Sequence, residues 1–199
     1  ISGATGSGKT TLLSALLGLV PYEERIIVIE ESAELRPSHP HCVHLQVRHA
    51  NVQGAGEVSM SDLVRAAMRM RPDRLILGEC RGSEVRDVLA ALNTGHEGGW
   101  ATIHANTAQD VPARLVALGA LAGMSEQTVA AQASAALDAV IHIKRTAEGR
   151  RIDHVSTLTR VGERLVSAPA IIARGKEAGA GPGWQRLAER LGLDPDLLQ

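Results

Sequence analysis

The sequence predicts an α/β protein: a doubly wound, mostly parallel sheet with a C-terminal antiparallel hairpin. Three observations predict it. Two short apolar runs, the β-branched RIIVIE at 25–30 and RLILGE at 74–79, alternate with stretches whose apolar residues recur at helical spacing. A glycine-rich loop at 3–10 opens directly into one of those stretches. Two further runs, 139–145 and 151–160, flank the turn-forming pair Glu148-Gly149 and read as the hairpin, an antiparallel edge to the sheet.

Along the chain, Leu12, Leu13, Leu16 and Leu17 place a helix over 10–19. RIIVIE has the unbroken apolar character of a parallel strand buried on both faces, whereas 43–48 alternates as a half-exposed strand. Leu63, Ala66, Ala67 and Met70 share one face of a helix over 61–70, which Pro72 stops. RLILGE is a second buried strand. Ser83 is placed to cap a helix through Leu92 with Gly95 beyond its end, and 100–104 forms a further strand. Asn106 or Thr107 caps the next helix, and Ser125 begins an Ala-rich helix to about Leu137. The Gly-rich run at 175–183 reads as a linker before a last helix at 184–191, dividing the chain into a domain at 1–171 and a tail at 172–199. The opening residues leave no room for the strand expected ahead of the glycine loop, so the chain reads as a fragment.

Composition bounds the function classes. A length of 199 residues suits one substantial domain, and 44% hydrophobic with 22% charged residues suits a buried core rather than a disordered or membrane-embedded chain. Lys and Arg number 21 against 22 Asp and Glu, so no global basic field exists to hold nucleic acid or anionic lipid. Trp100, Trp184 and Tyr22 are the whole aromatic complement, which excludes base-stacking platforms. Cys42 and Cys80 fall in no paired metal or redox spacing, which favours a reducing compartment. No apolar run reaches the roughly 18 residues of a spanning helix, and no signal segment opens the chain. A cytoplasmic protein that meets membranes only through partners is expected.

The chemistry is concentrated in a few places. GATGSGKT satisfies the phosphate-loop pattern, in which backbone N–H groups and a helix N-terminus surround phosphate oxygens. Gly3, Thr5, Gly6, Ser7, Gly8, Lys9, Thr10 and Thr11 are therefore the expected ATP contacts, with Lys9 neutralising the β- and γ-phosphates and Thr10 binding Mg²⁺. Hydrolysis also needs strand-end acids, and two strands supply them: Glu30-Glu31, and Glu79 after a Gly where Asp is commoner. His96 and His104 bracket a strand whose end could read a γ-phosphate. Arg65 and Arg69 lie one helical turn apart and, with Arg71, Arg74 and Arg81, flank the Glu79 strand as arginines reaching a phosphate across a subunit boundary would. His39, His41, Cys42, His44 and His49 lack the paired spacing of a zinc site, and His96-Glu97 lacks the second His of a zinc protease. Cys80 reads as a small buried residue, and Trp184 as an anchor of the last helix on its own domain.

Taken in order, GATGSGKTTLL, IEESAEL, GEVSMSDLVRAAMRMRPDRLILGECRG and LNTGHEGGWATIHANT resemble the type II/type IV secretion ATPase superfamily over residues 1–145. The likeness is greatest to the tight-adherence (Flp) pilus assembly ATPase of the CpaF type. The resemblance implies a RecA-like P-loop NTPase fold, homohexamers that hydrolyse Mg-ATP between subunits and domains, and a cytoplasmic motor docked on inner-membrane platform proteins. It places Glu30 in an acidic box, makes Glu79 the Walker B glutamate reaching Mg²⁺ directly or through water, puts His96 and His104 in a His box, and sets Arg65 and Arg69 on an Arg-rich helix. Glu31 stands where the family usually has Asp, and the family's N-terminal domain is not in the sequence, which would slow turnover. The expected function is Mg-dependent ATP hydrolysis powering pilus assembly or protein secretion, with Glu30 and Glu79 sharing the base and metal-water roles and His104 reading the γ-phosphate. Three alternatives stay open: a type IV secretion or conjugation ATPase, a P-loop small-molecule kinase, and an assembly subunit that binds ATP without hydrolysing it.

Overall fold

The computed structural model describes residues 1–95, 98–174 and 177–198. Two residues, β1 (Ser2–Gly3), form a strand just ahead of the glycine loop, where none was expected. The loop runs into α1 (Lys9–Leu17). Then come β2 (Ile26–Glu30), β3 (Cys42–Gln46), α2 (Met60–Met68), β4 (Arg74–Leu77) and α3 (Val85–Asn93). β5 (Trp100–Ala101) and β6 (Ile103–His104) are two halves of one extended run. They are followed by α4 (Val111–Leu121), α5 (Glu126–Ala136), β7 (Val140–Thr146), β8 (Gly149–Val161), β9 (Arg164–Arg174), β10 (Glu177–Ala180) and α6 (Trp184–Leu191).

Two strand sets, β3-β2-β4-β5 and β10-β9-β8-β7-β1-β6, meet at Thr102. On one side the Thr102 N–H donates to Leu77 O at 3.3 Å; on the other, Ile103 N–H donates to Ile1 O at 2.9 Å. The β5–β6 run therefore bridges β4 and β1, which makes one mixed sheet. Pairing is parallel from β3 through β7 and antiparallel beyond.

The sheet is covered on both faces, and this is why β2 reads as an unbroken apolar run. Ile26 and Val28 face Leu13 and Leu17 of α1, while Ile27 and Ile29 face the α2–α5 side with Val64, Leu89 and Val129. Leu13 and Leu17, four residues apart, stack on one side of α1 and are fully buried.

Local rules explain where the helices begin. α2 starts at Met60, one residue before the expected Ser61, because Ser59 and Asp62 form a reciprocal cap, with Ser59 Oγ accepting Asp62 N–H at 3.2 Å and Asp62 accepting Ser59 N–H at 3.1 Å. Arg71, in the left-handed region at φ 53°, turns the chain from α2 into β4. Ser83 does not cap α3. Glu84 holds that position instead, and its carboxylate accepts the N–H groups of Arg81 and Gly82 at 2.7 and 2.8 Å.

The C-terminal region departs most from expectation. The single hairpin is the first half of a four-stranded antiparallel array, with β9 added across the Gly162 turn (φ 61°) and β10 paired to β9 from Glu177↔Arg174 to Ala180↔Ile171. Part of the stretch read as a linker is thus strand. Pro169, which lacks a donor and so argues against a strand, sits where the β8–β9 register shifts, the place a sheet tolerates it. Trp184, Leu187 and Ala188 of α6 pack on Ala170 of β9, so the last helix does close on its own domain.

Candidate functional site

The carboxyl ends of β1, β2, β4 and β6 converge on the glycine loop. Gly6 and Gly8 hold left-handed φ values of 70° and 99°, which turn the loop's N–H groups inward and start α1. α2 and α5 are capped by side chains, but α1 has none at its N-cap Gly8 and no acid in its first turn. Its free N–H groups and positive dipole end are left for an anion. Lys9 is buried at 7% exposure, and its ammonium donates to Gly3 O at 3.0 Å and Ala4 O at 3.2 Å. Burial pulls its pKa below the usual ammonium range, with Glu79 opposing.

Beside the loop lies a cleft of about 370 Å³ lined by Thr10, Glu30, Glu31, Glu79, Arg81 and Glu84, among others. Glu30 is 5% exposed; its Oε1 accepts the N–H groups of Glu34 and Leu35 at 3.1 and 2.9 Å, while its buried Oε2 has no hydrogen-bond donor among the described residues. His44 Nδ1 stands 3.9 Å from that oxygen. Three oxygen-bearing side chains, Thr10, Glu30 and Glu79, share the cleft, a donor set of the hard type that Mg²⁺ takes. The uncapped helix and the orphaned Glu30 oxygen fit a bound Mg-nucleotide.

Glu79 is gripped from two sides. His104 Nε2 lies 2.5 Å from its Oε1, and Arg81 Nη2 lies 2.6 Å from its Oε2. Arg81 also reaches Glu31 Oε2 at 3.7 Å. Burial first, and then the Lys9 charge, hold the His104 imidazole below its usual range, with Glu79 opposing. The ring thus stands against Glu79 through Nε2, while its other nitrogen, Nδ1, faces Thr5 Oγ1 at 3.5 Å. One histidine therefore links the phosphate loop to the strand-end acid.

The structure brings together Gly3, Thr5, Gly6, Ser7, Gly8, Lys9, Thr10 and Thr11 in the loop and first helical turn, with Glu30, Glu79 and His104 beside them. Arg65 and Arg69 do not line the cleft. Arg65 pairs with Asp62 at 2.8 Å and Asp87 at 3.5 Å, and Arg69 is exposed at the end of α2 with no ion pair among the described residues. Arg74 is held by Glu24. His96 lies outside the described residues. Cys80 is buried, and burial with the Glu84 charge pushes its thiol up to about 12, so it is inert. Among the described residues no cluster of three metal-ligating side chains forms, the His39–His49 region included.

Sequence reasoning missed two parts of this site. Gly78 is one: a Cβ there would stand 2.7 Å from Glu30 Cγ, so the Gly that replaces the commoner Asp makes room for the neighbouring strand's glutamate. The unusual Gly was visible, but which strand lay beside it was not. Arg150 is the other, brought from the β7–β8 hairpin to donate from Nε to Gly6 O at 3.1 Å.

A family model described as Type II/IV secretion system protein matches residues 1–168. A Mycobacterium tuberculosis protein provisionally named a conjugal transfer protein is 56% identical over 171 residues, covering 86% of this chain and 49% of that protein. The conjugal transfer protein TrbB of Rhizobium radiobacter is 38% identical over 158 residues, covering 78% of this chain and 46% of that protein. Among solved structures, the VirB11 ATPase of the Brucella suis type IV secretion system superposes with a TM-score of 0.68 at 31% identity, covering 77% of this chain and 47% of that one. The fold is thus that of RecA-like phosphate-loop ATPases. The chain spans about half the length of the curated relatives it matches.

Proposed function

The chain belongs to the type II/IV secretion system protein family, and from that premise we propose that it is the Mg-ATP-hydrolysing part of a type IV secretion or conjugation ATPase. The observation that carries the chemistry is the link from Thr5 through His104 to Glu79, beside Lys9 and Glu30. Lys9 and the N–H groups of the loop bind the phosphates. Glu30, desolvated with one free carboxylate oxygen, accepts the proton of the attacking water; Glu79, held by His104 and Arg81, orients the group opposite. Mg²⁺, held by Thr10 with Glu79 nearby, would neutralise charge on the β- and γ-phosphates. His104, sitting between loop and acid, registers whether the γ-phosphate is present.

The sequence motifs alone put tight-adherence pilus assembly first. Conjugal transfer relatives favour the type IV secretion reading. Pilus assembly stays as a second reading, supported by the ordered motifs. In either machine we place a homohexamer in the cytoplasm, docked on inner-membrane platform proteins and without direct nucleic-acid contact. Among the described residues no helix is long and apolar enough to cross a membrane.

Steady-state phosphate release from ATP with Mg²⁺ tests the chemistry. Release that Lys9→Ala abolishes, with no need of a small-molecule acceptor, is expected; ADP formed only on adding an acceptor, without free phosphate, would instead identify a kinase. Deleting the gene in its host separates the machines: loss of protein or DNA transfer with pili intact is expected, and loss of pili with transfer intact would favour the second reading.

A further inference from the structure

The β7–β8 hairpin ends in four exposed cations. Lys144 stands opposite Arg151, and Arg145 opposite Arg150. Like charges directly across an antiparallel pair repel, and among the described residues none of the four has a carboxylate within ion-pair distance. The array is electrostatically unfavourable as it stands and would be relieved by an anion.

Its position says which anion. Arg150 lies against the phosphate loop: its Nε donates to Gly6 O at 3.1 Å, and a Cβ built on Gly8 would stand 2.8 Å from its Cδ. The missing side chain of Gly8 thus makes room for Arg150 as well as for a phosphate. With Nε committed to the loop carbonyl, the two terminal nitrogens of the fork have no other partner among the described residues. The strand order fixes the direction of approach. β1 lies between β6 and β7, and Glu30, Glu79 and His104 all belong to the β6 side, whereas the hairpin rises on the β7 side. Arg150 therefore meets a bound nucleotide at the end away from the acids.

We propose that Arg150 is a nucleotide ligand in cis, a second cation beside Lys9 that holds the α- and β-phosphates from the hairpin side of the loop. The assignment deepens the nucleotide reading and rests on it. A ligand for that part of the nucleotide contributes equally to ADP and ATP, unlike a group that senses the γ-phosphate. The flanking Lys144, Arg145 and Arg151 raise the local positive potential.

The test is a titration of the full chain with fluorescent ADP and ATP analogues in Mg²⁺ buffer, comparing the parent with Arg150→Ala, Arg150→Lys and Lys9→Ala. Arg150→Ala is expected to weaken both nucleotides about tenfold, the usual effect of losing one charge-assisted hydrogen bond, and Arg150→Lys to recover part of the loss by keeping the charge without the fork. ADP binding to Arg150→Ala at parent strength, or a loss confined to ATP, would overturn the assignment. So would an Arg150→Lys chain as weak as Arg150→Ala with both melting lower, since that marks a brace for the loop and not a ligand. If Lys9→Ala loses binding while Arg150→Ala keeps it, Arg150 alone is misassigned; if the parent binds neither nucleotide, the nucleotide reading fails and takes this one with it.

Discussion

Glu30 occupies the space that a side chain on Gly78 would fill: a Cβ there would lie 2.7 Å from Glu30 Cγ and 3.3 Å from its Oε1. Glu30 ends β2 and Gly78 directly follows β4, its parallel neighbour, at a matching height, with Gly78 N–H donating to Ile29 O at 2.8 Å. The acid of one strand has taken the place usually filled by an acid on the next.

Gly78→Ala should therefore act on catalysis through Glu30. The added methyl group forces a buried carboxylate to move, which costs about 1–3 kcal/mol of stability as overpacking and lowers kcat by roughly tenfold or more. Glu30→Ala removes the clash but also the acceptor of the Glu34 and Leu35 N–H groups, so the double variant should lose less melting temperature than the two single losses added together, without regaining turnover. If the losses simply add, the two side chains do not compete for one space.

Glu79→Gln keeps the shape of the Glu79 side chain and loses its charge. Turnover is expected to fall by ~10² to 10⁴ while nucleotide affinity changes little, because Glu79 faces the reacting end and the loop binds the phosphates. Measuring kcat and Kd separately decides it; a loss confined to Kd would move Glu79 out of the chemistry.

Arg65 and Arg69 lie on α2 outside their own cleft, so their effect on turnover should be felt in a neighbour. Arg69→Ala alone is expected to cost ~10³ in rate, the order found for arginines supplied in trans, with an unchanged melting temperature. Mixed with Lys9→Ala, it should regain activity, since a mixed interface pairs an intact loop with an intact arginine. If the two inactive variants stay inactive together, Arg69 does not work across a subunit boundary.

Acid should destabilise the protein in a defined window. His104 and His142 are both lowered from the usual histidine value, each chiefly by burial, His104 next by the Lys9 charge and His142 next by His154. His142 is 2% exposed, with Nδ1 2.9 Å from Ser2 Oγ on the strand before the loop. When the folded pKa lies below the unfolded one, the unfolded chain binds more protons in between. Stability is then full above the unfolded value near 6.5 and falls as the pH drops through it toward the folded value. Melting temperatures measured from pH 8 to pH 5 should decline below about 6.5, and His142→Asn should flatten the decline; an unchanged slope in that variant would remove His142 from the effect.

Much of this was legible in the sequence because its signals are local. GATGSGKT dictates a loop and a helix start, RIIVIE a strand covered on both faces, and Ser125 a cap whose Oγ does accept Thr128 N–H. What was not legible depends on neighbours. Nothing in RLILGE says that Glu30 stands beside Gly78, and nothing around Glu148-Gly149 says that Arg150 reaches Gly6, a contact spanning 144 residues. β9 and β10 were missed for a different reason: Pro169 and the glycines near 179 are poor strand formers that are tolerated at a register shift and at the sheet's edge.

The most direct test is Mg-dependent phosphate release from ATP by this chain across a wide range of protein concentration, with Lys9→Ala as the blank. A hydrolytic site completed between subunits predicts specific activity that rises with concentration and vanishes in the Lys9 variant. Activity that survives Lys9→Ala, or nucleotide binding with no phosphate release at any concentration, would contradict it.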